Sequence, residues 1–233
     1  MMRINRYLSF YGICSRREAD RLIGSGRVKI GERTAVLGDT VSDGDIVSVD
    51  DKPVSIDRKE VILAYNKPKG IICTTSDKEH PNLLDAVDYP ERVFPIGRLD
   101  KDSTGLILLT NDGKLADELM RGRNDHEKEY VVTTDKPLTD EVVKAMEQGV
   151  PILDTMTKPC RIFDREKKSF HIILTQGLNR QIRRMCEYFG YKVISLERIR
   201  FVSVTNTGLS EGDIRELTKK EIEELMKEVQ VRS

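Results

Sequence analysis

Apolar residues recur at spacings of three and four near the start of the chain: Ile4, Tyr7, Leu8 and Tyr11. This period predicts a helix over residues 3–11, stopped by Gly12. Ser15-Arg16-Arg17-Glu18 has the S-x-x-E form of a capping box, and Ala19, Leu22 and Ile23 follow on one face. A second helix is therefore expected, ending at Gly24 and Gly26. Short strands are predicted around 28–30 and 46–49, with turn signals at Gly31 and Asp43-Gly44. The polar stretch DKPVSIDRKE, residues 51–60, reads as a linker. It separates a small unit, 1–50, from the remainder, 61–233.

Beyond Val61 the pattern changes. Apolar runs (VILAY, GIICTT, LILLT, YVVTT, FHIILT, KVISLERIRF) predict strands, and residues 138–148 and 182–189 read as helical. The mixture predicts an α+β fold with a mixed, mainly antiparallel sheet flanked by helices. In the second helical stretch Ile182, Met185, Cys186 and Phe189 share one face, and Arg180, Arg183, Arg184 and Glu187 share the opposite one. Near the end, Ile222, Leu225, Met226 and Val229 have the spacing of a surface helix packed on the sheet.

Composition narrows the function classes. The 233 residues carry 39 basic and 39 acidic side chains, so net charge alone argues for neither a nucleic-acid binder nor an acidic scaffold. The local balance differs. Residues 1–33 hold Arg3, Arg6, Arg16, Arg17, Arg21, Arg27, Lys29 and Arg33 against Glu18, Asp20 and Glu32. Arg16 and Arg17 stand in the first turn of a helix, where cations oppose its dipole. Together with Arg3, Arg27 and Lys29 they suggest a phosphate-binding face rather than scattered solvated residues. Cys14, Cys73, Cys160 and Cys186 form no C-x-x-C pair, which predicts reduced thiols, no metal site and a cytoplasmic location. No apolar run approaches the ~20 residues that cross a bilayer, so no membrane association is expected. MMRINRYLSFYG lacks the apolar core of a signal peptide.

Familiar chemistries are missing. His126-Glu127-Lys128-Glu129-Tyr130 begins like a zinc-protease motif, but Tyr130 stands where the second histidine belongs. There is no G-x-x-x-x-G-K phosphate loop, and His80, His126 and His171 belong to no nucleophile arrangement. Two features remain. GRLDKDSTGLILLTNDG, residues 97–113, carries Arg98, Asp100, Lys101 and Asp102 into a gap between buried segments. An Asp in such a loop ordinarily caps a turn or pairs with a nearby Arg, and the ligand series of a calcium loop does not follow this D-x-D. QGLNRQIRRMCEYFGY, residues 176–191, places Arg183 and Arg184 near a helix start, where guanidinium groups could hold a buried carboxylate or a phosphate.

The N-terminal segment RINRYLSFYGICSRREADRLIGSGRVKIGERTAVLGDTVSDGDIVSV resembles an S4 domain, which implies that two helices and the RVKI strand form one RNA-contacting surface. GRLDKDSTGLILLTNDG, NKPKG at 66–70, HEKEY and LTQGLNRQIRRMC resemble, in order, the motifs of the RsuA-type pseudouridine synthases. The likeness runs from the S4 module to about Leu217. Within that type VFPIGRLDKDS, GVPIL and GLNRQIRRMCEYFGY resemble a large-subunit enzyme. The resemblance implies isomerisation of uridine to pseudouridine in 23S ribosomal RNA, without cofactor, on a flipped-out base. It implies Asp100, Tyr130 and Arg183 as catalytic residues, with Arg183 holding the Asp100 carboxylate and Tyr130 stacking on the uracil. Asp100 attacks the ribose or the base, or abstracts a proton; the sequence leaves these open. Ser103 stands where many members have Thr, and keeps the hydroxyl. Arg98, Lys101, Lys128, Asn179, Arg180, Gln181 and Arg184 are placed on the RNA, Arg98 also with a role in base displacement. A monomer is expected, with transfer RNA as a second partner left open. The alternatives are a non-catalytic S4-type RNA-binding or ribosome-assembly factor and a same-family synthase for small-subunit RNA.

Overall fold

Ser15 Oγ accepts the Glu18 amide at 3.1 Å and starts the helix that carries the first basic cluster. This is the N-cap bond expected of S-x-x-E. The computed structural model describes residues 1–54, 59–75, 78–120 and 125–231. Its elements open with β1 (Met2–Arg3), α1 (Ile4–Phe10), α2 (Arg16–Gly24), β2 (Val28–Ile30), β3 (Arg33–Thr34), β4 (Thr40–Val41), β5 (Val47–Val49) and β6 (Lys52–Pro53). Strands pair in the order β3-β2-β5-β6, all antiparallel, and β1 pairs β4. β6 thus extends regular structure two residues into the segment expected to be a linker. Ile4, Leu8, Ala19, Leu22, Ile23, Val28 and Val47 bury one apolar cluster between the helices and the strands. Asn5 ties α1 to α2 by donating to Asp20 at 2.8 Å.

The larger element set follows: β7 (Ile62–Lys67), α3 (Leu83–Ala86), β8 (Phe94–Ile96), β9 (Thr104–Thr110), α4 (Gly113–Met120), β10 (Lys128–Thr134), α5 (Asp140–Gln148), β11 (Pro151–Ile152) and β12 (Thr155–Met156). It closes with β13 (Arg161–Glu166), β14 (Ser169–Leu174), α6 (Gln181–Tyr188), β15 (Val193–Phe201), β16 (Val204–Thr205), β17 (Ile214–Glu216) and α7 (Lys219–Val231). The main sheet runs β13-β14-β10-β15-β9-β7-β17, with β16 added to β15 and β8 to β9. The pairs β13–β14, β14–β10, β10–β15, β15–β16 and β7–β17 are antiparallel and β15–β9 is parallel, so the sheet is mixed and mainly antiparallel as expected. β7 is buried along its whole length, as is β9 from its second residue on. This is why VILAY and LILLT read as unbroken apolar runs. α5 and α6 cover one face, with Val143, Met146, Ile182, Met185 and Cys186 packed on Val132, Ile172 and Leu196.

By its contacts the chain divides into two units: Met1–Val61 with Tyr89–Phe94 and Thr110–Lys114, and Ile62–Asp88 with Pro95–Leu109 and Leu115–Ser233. In the first unit Asn111 accepts the Val61 amide at 3.1 Å and donates to Lys59 O at 2.8 Å.

One expected strand is absent. GIICTT forms no strand; Ile72 makes only an isolated bridge to Asn82. The Lys67 ammonium donates to Pro68 O at 2.7 Å and Ile71 O at 3.0 Å, curling 68–71 into a turn where an extended ladder would otherwise begin.

Candidate active site

The turn that carries the two acids is built from below. Ser103 N donates to Asp100 O at 3.0 Å and closes it. Leu99 is buried and anchors its amide on Cys73 Sγ at 3.3 Å. Gly70 N donates to Lys101 O at 2.8 Å, so NKPKG lies under the turn as its scaffold. Lys67 is fully buried, and burial pushes its ammonium below the usual lysine range, against the pull of Cys73, Glu211, Asp102 and Asp100. The chain leaves the turn through Gly105. A Cβ there would lie 2.3 Å from Arg198 O, at φ +101°, so only glycine lets β9 approach β15 this closely.

Asp100 stands at the wall of a cavity of about 510 Å³, within the usual range for a small-molecule site. Its side chain is 29% exposed. Arg180 Nη1 lies 3.7 Å from Asp100 Oδ2, and Arg183 Nε lies 4.0 Å from the same atom. Both are ion-pair distances, longer than hydrogen bonds. The carboxylate is thus held by charge while its lone pairs face the cavity. Arg183 makes its hydrogen bonds elsewhere, to Asp102 O at 3.2 Å, Ser103 Oγ at 3.4 Å and Val193 O at 3.4 Å. It clamps the turn to α6 while lending its charge to Asp100. Ser103 is buried, and its hydroxyl receives that clamp.

The expected residues separate into groups. Tyr130 lines the cavity from β10, opposite Arg198 on β15 and Ile172 on β14. Arg98, Lys128, Asn179, Arg180 and Gln181 line it as well. Arg98, Asn179 and Arg180 are exposed. Gln181 is not: it is buried, accepting Leu178 N at 3.0 Å, and so shapes the loop before α6. Arg184 braces Asn179, donating to its backbone O at 3.1 Å and its Oδ1 at 3.3 Å. Lys101 and Asp102 are exposed on the turn and outside the cavity lining. In the other unit Arg3, Arg16 and Arg17 are exposed, whereas Arg27 pairs with Asp50 and Lys29 with Asp51 at 2.6 Å.

Two features escaped the sequence. Arg180, at φ +51° before α6, is the nearer guanidinium to Asp100. Its place just before the basic helix was a usable signal. Arg198 lines the cavity and is 2% exposed. In KVISLERIRF it reads as one polar position of a strand. The described residues hold no cluster of metal-ligating side chains.

The chain matches the family model described as RNA pseudouridylate synthase over residues 61–188, and the S4 domain model over residues 2–47. It is 52% identical to the dual-specificity RNA pseudouridine synthase RluF of Salmonella typhi over 97% of this chain and 78% of that protein. It is 35% identical to the ribosomal large subunit pseudouridine synthase B of Bacillus subtilis (strain 168), over 97% of this chain and 96% of that one. A crystal structure of a pseudouridylate synthase superposes with a TM-score of 0.71 at 28% identity, covering 97% of this chain and all of the other.

Proposed function

The chain belongs to the RNA pseudouridylate synthase family, and from that premise we propose that it isomerises uridine in large-subunit (23S) ribosomal RNA with Asp100 as the reacting carboxylate. It is an RNA pseudouridine synthase with an S4 RNA-binding domain. The reading rests on one observation: a carboxylate at a cavity wall, held by two guanidinium groups at 3.7 and 4.0 Å, with no hydrogen bond among the described residues taking up its lone pairs. That arrangement suits a group that must react rather than brace.

The reaction moves the glycosidic bond of uridine from N1 to C5. The C1′–N1 bond breaks, the base turns, and C5 joins C1′; the C5 proton leaves and N1 gains one. Atoms and electrons balance within the nucleotide and one proton exchange, so no redox partner is required. Asp100 can attack C1′ or the base, or take a proton. Arg180 and Arg183 offset its negative charge when RNA closes the cavity and removes water. Tyr130 offers its ring as a face for the uracil. The target base must leave its stack at a cost of a few kcal/mol. Arg98, exposed two residues before Asp100, would help displace it, and Asn179 and Arg180 are exposed residues of the cavity lining. Arg3, Arg16 and Arg17 on the S4 surface supply phosphate contacts that offset that cost.

We assign large-subunit RNA as the substrate, transfer RNA as a second RNA to be tested, the cytoplasm as the location and the monomer as the working state. No helix among the described residues is long and apolar enough to cross a membrane. Two results test this reading together: tritium release from [5-³H]uridine-labelled ribosomal RNA, and pseudouridine maps of ribosomal and transfer RNA from cells with and without the gene. A lost pseudouridine in large-subunit RNA is the expected outcome. RNA binding with no tritium release would leave an S4-type binding protein instead.

A further inference from the structure

Arg198 is a buried cation whose partners do not account for it. Its Nε donates to Leu106 O at 2.7 Å, its guanidinium lies 5.5 Å from the centre of the Phe201 ring, and Nη2 is buried with no hydrogen-bond partner. Among the described residues no carboxylate pairs with it. Lys128 shares the same ring, its Nζ 5.7 Å from the Phe201 centre. That ammonium donates to His126 O at 2.8 Å and to Thr175 O at 3.5 Å, and again no carboxylate pairs with it among the described residues. Burial, with Arg198 adding repulsion, pushes Lys128 down to about 8. Both residues line the cavity that holds Asp100 and Tyr130.

A buried cation beside a half-buried one, neither with a carboxylate partner among the described residues, is costly to a fold, since a stranded charge or donor forfeits its hydration. Placed at a substrate cavity, they call for a ligand with negative charge or carbonyl oxygens. The proposed reaction supplies one. When C1′–N1 breaks, its electron pair stays on the base, and the charge of the resulting uracil anion spreads onto O2 and O4. A half-turn about the N3–C6 axis brings C5 to where N1 stood and exchanges O2 with O4. A fixed donor therefore meets a carbonyl oxygen both before and after the turn.

Resting on the pseudouridine synthase reading, we propose that Arg198, with Lys128 beside it, binds the carbonyl oxygens of the target uracil and stabilises the detached base as an anion. The pair also sets base identity. Cytosine carries an amino group where uracil has O4, and that donor would face a cation.

The test is a cycle between protein and substrate. Single-turnover rates at saturating RNA are measured for the parent and Arg198→Gln, on RNA with uridine or 4-thiouridine at the target, sulfur being the poorer acceptor. Arg198→Gln should lower the rate by ~100-fold, as loss of one transition-state donor does, with RNA affinity changed less than ~3-fold. The thio substitution should slow the parent by ~10-fold and add little to the variant, because the lost contact is shared. Arg198→Lys should recover part of the rate and part of the thio sensitivity, and serves as the variant should Arg198→Gln fail to fold. Losses that multiply independently, or a variant that turns over at the parent rate, would overturn the assignment. A parent that releases no tritium from uridine-labelled RNA would instead remove the function on which the assignment rests.

Discussion

Arg183 Nε stands 4.0 Å from Asp100 Oδ2, while Nη2 of the same side chain donates to Asp102 O and Ser103 Oγ. One guanidinium thus fixes the backbone of the turn and compensates the carboxylate it presents. Arg183→Met should therefore damage turnover far more than binding. We expect a loss of ~100-fold or more in single-turnover rate, since losing one partner of a largely buried pair costs ~3–5 kcal/mol. Arg184→Met, which loses the brace on Asn179, should act on RNA affinity instead. Rates and dissociation constants for both variants decide it; a slow Arg184→Met beside a fast Arg183→Met would reverse the two roles.

The S4 surface divides its cations by their partners. Arg27 and Lys29 are paired with Asp50 and Asp51, whereas Arg3, Arg16 and Arg17 are exposed with no carboxylate partner among the described residues. Replacing the latter three with Gln should make the plot of log affinity against log salt shallower by ~2–3, at ~0.7–0.9 per lost phosphate contact. Arg27→Gln with Lys29→Gln should change that slope by less than ~1 on the same scale. Equal effects would mean that the aspartates do not shield their partners.

Lys128 gives the enzyme a titration near neutrality. Burial and Arg198 bring it down to about 8, so it is charged below that value and neutral above it. If the charge helps hold the uracil anion, the single-turnover rate should fall as pH rises through about 8. Lys128→Met should be slower and lack this limb. The sign for stability is opposite. With the folded value below the unfolded one, protonation favours the unfolded chain, so stability should rise from about 8 up to the ordinary lysine range. A Lys128→Met profile that still falls at the same pH would assign the limb to another group.

Gly105→Ala tests the close approach of β9 and β15. Its Cβ would meet backbone, which cannot swing aside. A loss of ~3 kcal/mol or more in unfolding free energy is expected, combining overpacking with a strained positive φ. Gly24→Ala, with open space around it, should be neutral or slightly stabilising at the end of α2. Urea unfolding of both variants, followed by far-UV circular dichroism, checks the contrast.

Much of this fold is legible because its signals are local. The Ser15 cap, the apolar face of α6 and the buried runs of β7 and β9 need only neighbouring residues to be read. What escaped depends on partners far along the chain. GIICTT has the apolar content of a strand, yet Lys67 turns the chain before it can pair. Arg198 reads as a polar strand position until its register against Tyr130 and Gly105 buries it. The resemblance places Gln181 and Arg184 on the RNA, whereas in the structure both make hydrogen bonds with the loop ahead of α6. The family resemblance located Asp100, and only the geometry showed Arg180 to be the nearer of its two cations.

The central claim is that Asp100 reacts while its neighbour Asp102 does not. Asp100→Asn keeps shape and hydrogen bonding but removes the anion, so it should bind RNA like the parent and give no product, the step needing a nucleophile or base. Asp102, exposed on the same turn, supplies Arg183 with a backbone carbonyl that Asp102→Asn leaves in place. The direct measurement is single-turnover tritium release from [5-³H]uridine ribosomal RNA by the two variants side by side. The account predicts none from Asp100→Asn and substantial release from Asp102→Asn; turnover by Asp100→Asn, or equal loss in both, would contradict it.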